Sequence, residues 1–170
     1  MELVPSFNGQ WIRTFHSASF QILRMEIEKL GFRNGFTILD ESEQKAVIKE
    51  CLRDLRRHDT RPELISYLIK QAKNSLSEPE QFFAGIRAAP HHRDLYTKIF
   101  RLYSSRLREL NALDFEDLIG LTVKLFREYP AVLRSYQERF PYIMVDEYQD
   151  TNYAQFVWTK LLAGENGNVF

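Results

Sequence analysis

The chain has 170 residues, 44% of them hydrophobic and 14% aromatic, which suits a folded domain with a sizeable core and excludes a disordered segment. Lys plus Arg equals Asp plus Glu at 23 each, so the overall balance carries no signal for polyanions. The single Cys51 excludes an internal disulfide and a cysteine-based metal site, and no apolar run approaches the roughly 20 residues of a membrane span.

Met1-Glu2-Leu3-Val4-Pro5 lacks the basic start and long apolar stretch of a signal peptide, which points to a reducing, cytoplasmic setting. Phe7-Asn8-Gly9 reads as a turn and residues 11–15 as a short strand. A helix is expected from about His16 to Gly31, with Phe20, Leu23, Ile27 and Leu30 on one face. After the Asn34-Gly35 turn, Asp40 and Glu43 have the spacing of a capping box, in which side chains accept the free N–H groups of a helix start. The helix they open turns Val47, Ile48, Cys51, Leu52 and Leu55 to one side, making Cys51 a buried, inert thiol.

Pro62 suits the first position of another helix, with Leu64, Ile65, Leu68, Ile69 and Ala72 inward, and Ser77-Glu78-Pro79 begins a shorter one. A long helix from about Arg93 carries Leu95, Ile99, Leu102, Tyr103, Leu107 and Leu110, with His91 and His92 in a solvent-exposed loop before it. Asp114 caps a helix whose Phe115, Leu118, Ile119, Thr122, Leu125 and Phe126 face inward, and Pro130 opens one that runs to about Arg139. Trp11 and Trp158 are expected in the core.

After Pro141 the pattern changes. Tyr142-Ile143-Met144-Val145 is a continuous apolar run ending in Asp146-Glu147, the form of a buried central strand with carboxylates at its C-terminal end. A last helix from about Tyr153 to Leu162 stops at Ala163-Gly164, and Asn168-Val169-Phe170 has the form of another strand start. The expected fold is mainly α, a helical unit inserted in an incomplete parallel α/β domain, because a complete doubly wound sheet needs about five strands.

Charge is unevenly spread. From residue 86 to 110, six basic side chains (Arg87, Arg93, Lys98, Arg101, Arg106, Arg108) stand against Asp94 and Glu109, a net of +4. From residue 111 to the end, nine acidic residues stand against five basic ones, a net of −4. The first stretch is either a phosphate-facing surface, with Arg101 and Arg108 as its contacts, or an ordinary solvated face. The second holds Asp146 and Glu147 where open parallel sheets place their ligands. Adjacent carboxylates there suit Mg2+ and water, one holding the metal and the other orienting or deprotonating a nucleophile.

The string Asp146-Glu147-Tyr148-Gln149-Asp150-Thr151-Asn152, with Gln155 beyond it, resembles the Walker B segment of superfamily 1 helicases of the UvrD, Rep and PcrA type. Thr14-Phe15-His16-Ser17, Phe36-Thr37-Ile38-Leu39-Asp40 and Leu113-Asp114-Phe115-Glu116-Asp117-Leu118 resemble further motifs of that family in the same order, so the likeness covers nearly the whole chain. It implies segments of a RecA-like, P-loop NTPase motor at 1–31 and 140–170, around a helical 1B-like subdomain at 32–139. It also implies an ATP-dependent DNA helicase or translocase of DNA repair or replication, with ATP and Mg2+ as cofactors. The implied partners are single-stranded DNA, the single/double-strand junction and the remainder of the motor, with no membrane and a cytoplasmic, nucleoid-associated location.

Residue by residue, the resemblance makes Asp146 a holder of Mg2+ on ATP and Glu147 the catalytic group that activates the attacking water. Gln149 and Asp150 would couple the nucleotide site to the DNA path. Thr14, Phe15, His16 and Ser17 would lie along the single-stranded DNA track, and Asp114 and Phe115 near the DNA side of the 1B-like unit. Plainer roles are open to each: Phe15 in a core, Ser17 or Asp114 as a cap, Gln149 as a loop-fixing hydrogen bonder.

No segment of the 170 residues has the family's Gly-x-x-x-x-Gly-Lys-Thr/Ser loop, its later Gln-Ser-x-Tyr-Arg type motif or the arginines of a second motor domain. Phosphoryl transfer depends on these parts acting together, so the isolated chain is expected to be inactive and to carry no bound ATP or Mg2+. Two other readings stand beside this one: a non-catalytic DNA- or protein-binding helical module, and part of a RecB/AddA-like helicase–nuclease.

Overall fold

A computed structural model, which describes residues 11–164, 167 and 169, is built of helices whose starts are set by caps and prolines. In order they are α1 (Phe15–Glu26), α2 (Glu41–Asp54), α3 (Pro62–Asn74), α4 (Pro79–Gly85), α5 (Pro90–Glu109), α6 (Phe115–Glu128), α7 (Pro130–Arg139) and α8 (Tyr153–Ala163). Two short strands, β1 (Thr37–Ile38) and β2 (Ala112–Leu113), and 3-10 turns at Ile27–Leu30 and Tyr148–Asp150 complete the described elements.

Full capping boxes open α2 (Asp40 with Glu43), α6 (Asp114 with Asp117) and α8 (Asn152 with Gln155). A proline occupies the first turn of α3, α4, α5 and α7, where its missing N–H has no intrahelical partner to lose. The α1 segment stops at Gly31, whose φ of 77° is the left-handed conformation that glycine adopts without strain.

The apolar faces fill two cores. The larger joins α1, α6, α7 and α8 through Ile22, Leu23, Leu118, Ile119, Phe126 and Trp158. The smaller joins α2, α3 and α5 through Ile48, Cys51, Ile65, Ile69, Ile99 and Leu107. β1 and β2 pair in parallel, with Thr37 opposite Ala112 and Ile38 opposite Leu113, so the chain enters and leaves the helices of the smaller core side by side. Asn111 braces this clasp: its side chain accepts from the Arg33 N–H at 2.9 Å and donates to the Arg33 carbonyl at 3.1 Å. Its φ of 52° is one that Asn tolerates better than most residues.

Several expectations need correction. Residues 12–14 form no strand; Thr14 instead caps α1, which begins at Phe15, and Trp11 is half-buried against Phe140. The run Tyr142–Val145 is not a buried strand among the described residues. Tyr142 is 70% and Met144 84% exposed, and the segment makes one isolated parallel bridge, Ile143 with Val169. A strand buried on both faces needs neighbours along its length, and the described residues pair with this run only at Ile143. The long helix begins at Pro90, so His91 and His92 are exposed in its first turn and not in a loop. Leu64, Leu110 and Phe115, expected inward, are 43%, 58% and 49% exposed. The Phe7-Asn8-Gly9 turn, Asn168 and Phe170 lie outside the described residues. Among the described residues no helix is long and apolar enough to cross a membrane.

Candidate functional site

Two of the expected DNA-side segments meet. His16 sits in the first turn of α1 and Phe115 in the first turn of α6, and their rings stack with centroids 3.8 Å apart and planes 22° apart. Burial, and then the charge of Lys70, lower the His16 pKa from its ordinary value, so the imidazole is neutral near pH 7. The hydroxyls beside it serve the helix start: Thr14 Oγ1 accepts from the Ser17 N–H at 3.2 Å, and Ser17 Oγ donates to the Thr14 carbonyl at 3.2 Å. The cap is therefore Thr14, not Ser17. Phe15 turns the other way and packs edge-on against Trp158, 5.5 Å between centroids.

Asp114 is enclosed, with 1% of its surface exposed. One oxygen accepts from the Asp117 N–H at 2.9 Å as the α6 cap, and the other accepts from Lys73 Nζ at 2.6 Å and the Tyr103 hydroxyl at 3.0 Å. Lys73 Nζ also lies 2.7 Å from Asp117 Oδ1. Burial works to lower the Lys73 pKa, but the Asp114 and Asp117 charges hold it above its usual value, so it stays an ammonium. Burial likewise works to raise Asp114, and the Lys73 charge holds it below the ordinary carboxylate range. One ammonium neutralises one carboxylate. The second, Asp117, is pushed up to about 7 by burial, with Asp114 adding to the rise and Lys73 opposing it.

Lys73, Tyr103 and Asp117 escaped the sequence reading as a charged centre. The available signal was Lys73 itself, which stands four positions after Ile69 on the inward face of α3, where a lysine needs a buried partner.

The carboxylate string forms an exposed turn. Glu147 adopts a left-handed backbone (φ 50°, ψ 43°), unusual for a residue with a Cβ, and leads the 3-10 turn Tyr148–Asp150. Asp146 Oδ1 accepts from the Glu147 N–H at 3.0 Å, and Gln149 donates from its amide to the Glu147 carboxylate. Thr151 Oγ1 donates to the Tyr148 carbonyl at 2.8 Å, after which Asn152 and Gln155 cap α8. Gln149 thus fixes the loop and Gln155 the helix. Asp146, Glu147 and Asp150 all face solvent.

Among the described residues no group of three His, Cys, Asp or Glu side chains gathers as a metal cage. Open, paired carboxylates fit Mg2+, which keeps several waters and takes one or two carboxylates together with phosphate oxygens.

The basic stretch of α5 is largely engaged within the fold. Arg101 Nε donates to Glu80 at 2.6 Å, and Arg106 bonds Asp54 at 3.0 Å and Glu109 at 3.1 Å. Arg108 donates to the Leu30 carbonyl at 3.1 Å and covers the Phe32 ring at 4.6 Å. The Arg101 side chain is nevertheless 62% exposed and open to solvent.

Comparison with known proteins follows the same lines. The UvrD/REP helicase N-terminal domain model matches residues 2–170. The chain is 42% identical over 165 residues to the ATP-dependent DNA helicase PcrA of Bacillus subtilis, a match covering 95% of this chain and 22% of that protein. It is 40% identical over 163 residues to the ATP-dependent DNA helicase PcrA of Staphylococcus epidermidis, and 39% identical over 161 residues to that of Staphylococcus aureus. Each of these matches covers 94% of this chain and 22% of the relative, so the chain spans about a fifth of the length of the relatives it matches. Because the family model matches nearly its full length, the chain belongs to the UvrD/REP helicase family, as part of its N-terminal domain.

Proposed function

We propose that the chain is a piece of an ATP-dependent DNA helicase or translocase of DNA repair or replication, acting in the cytoplasm at the nucleoid. In this reading it supplies the carboxylate half of the Mg-ATP site and a stacking face for single-stranded DNA. The observation that carries the reading is the stack of His16 on Phe115, which joins motifs from opposite halves of the chain on one surface. No acidic residue stands in the first turn of α1, whose free N–H groups favour a phosphate beside the stack. Thr14, Phe15 and Ser17 shape that turn, Asp114 holds Phe115 from behind, and Arg101 and Arg108 on α5 offer phosphate contacts toward the single/double-strand junction.

At the other site Asp146 would hold Mg2+, Glu147 would orient and deprotonate the attacking water, and Gln149 and Asp150 would fix the turn between nucleotide and DNA. Mg-ATP, when bound, supplies the phosphoryl group and the charge that make that water's attack productive. Residues 32–139 are proposed as the 1B-like subdomain and 1–31 with 140–170 as motor segments, supported by the β1–β2 clasp at the start and end of the α2–α5 helices.

The 170 residues contain no phosphate-binding loop, so the isolated chain is proposed to lack ATPase activity. ATP turnover by the purified chain that vanished with Glu147→Gln would overturn that statement. Arg101→Glu with Arg108→Glu should weaken DNA binding and flatten its salt dependence; unchanged affinity and slope would remove α5 from the DNA surface.

A further inference from the structure

Phe115 is 49% exposed, and its ring stacks on the His16 imidazole. The residue before it, Asp114, is by contrast among the most enclosed polar groups of the chain. Four polar side chains from three helices meet beneath Phe115. Lys73 of α3 reaches Asp114 at 2.6 Å and Asp117 at 2.7 Å, and the Tyr103 hydroxyl of α5 donates to Asp114 at 3.0 Å. Lys73 Nζ also lies 5.2 Å from the centre of the Tyr103 ring. An apolar cluster would fill this space at no desolvation cost, so an ion-pair cluster here is poorly explained by stability alone. Directional bonds do what apolar contact does not: they fix the Asp114 main chain and the axis of α6, and with them the direction in which Phe115 leaves the helix.

We infer that Lys73, Tyr103, Asp114 and Asp117 are positioning residues, a buried charge cluster that holds Phe115 against His16 and so sets the stacking face offered to a base of single-stranded DNA. The inference rests on the DNA reading proposed above for the face itself. The positioning of Phe115 is open to a test of its own.

In the 170-residue chain, the Phe115 ring current shifts the His16 imidazole proton resonances. Lys73→Met and Tyr103→Phe should both move those resonances toward their unstacked positions. Tyr103→Phe removes one hydroxyl from an otherwise unchanged ring, so it remains informative where Lys73→Met fails to fold. The same variants should lower affinity for a single-stranded oligothymidylate, by about tenfold for full loss of one base stack. In a Phe115→Leu background they should cause no further loss, because a cluster acting through Phe115 has nothing left to position.

His16 resonances unmoved in Tyr103→Phe, or affinity losses that add in full to that of Phe115→Leu, would overturn the inference. Resonances that move while Phe115→Leu and His16→Ala leave affinity unchanged would uphold the positioning of Phe115 and overturn the DNA reading instead.

Discussion

Replacing Lys73 by Met removes the ammonium while keeping most of the side-chain volume, so the perturbation is electrostatic before it is steric. The Lys73 side chain is 9% exposed and that of Asp114 is 2% exposed, and the ammonium lies within 2.7 Å of an oxygen of each of Asp114 and Asp117. Breaking such a pair by deleting one partner costs about 3–5 kcal/mol, because the remaining charge is left buried and uncompensated. With a urea m-value of ~2 kcal/mol/M, the unfolding midpoint at pH 7.5 should fall by about 2 M at unchanged slope.

The loss should shrink at pH 5, where the abandoned carboxylates can take up protons. The lysine's own titration does not intrude. Its folded pKa lies above the unfolded value of 10.5, so its contribution is fully present below that value and is lost only as pH rises past it. Far-UV circular dichroism in a urea series at both pH values makes the measurement. A midpoint shift under about 0.5 M at pH 7.5, or equal losses at both pH values, would refute the claim that Lys73 neutralises a buried charge.

Two further outcomes follow from the same geometry. Asp117 titrates at about 7 in the folded chain against a reference of 3.8, so between those values the folded chain keeps a proton that the unfolded chain releases. Its contribution to stability therefore declines as pH rises across that window and levels off above it. The melting temperature of the wild type should fall relative to that of Asp117→Asn between pH 5 and pH 8, and parallel curves would contradict this. Cys51 is fully buried, and burial pushes its thiol up to about 11. A thiol reagent at pH 8 should label it only as fast as the smaller core opens, with rates that rise in urea; immediate labelling of the native chain would count against the packing of α2.

What was legible in the sequence was local. Capping residues such as Asp40 and Asp114, and prolines at positions 62, 79 and 130, act within one helical turn, and the helices begin where they stand. The larger misreadings depended on what lies alongside. Tyr142-Ile143-Met144-Val145 has the composition of a central strand, but burial is conferred by neighbours, and the described residues provide a single bridge at Ile143. Phe115 has an inward register on α6 and yet faces His16 at the surface, a contact that no helical periodicity encodes.

The charged centre around Lys73 was hidden for a related reason. Its members come from three helices, and only the odd placement of a lysine on an apolar face hinted at it. The basic stretch of α5 concealed its internal partners in the same way. A run of arginines does not show that Glu80, Asp54 and the Leu30 carbonyl, from other parts of the chain, bond Arg101, Arg106 and Arg108.

The most direct test of the account is a fluorescence-anisotropy titration of a labelled single-stranded oligothymidylate with the 170-residue chain and its His16→Ala and Phe115→Leu variants. The stacking face predicts sequence-tolerant, salt-sensitive binding that each variant weakens by about tenfold while circular dichroism stays unchanged. Equal affinities for the wild type and both variants would contradict it.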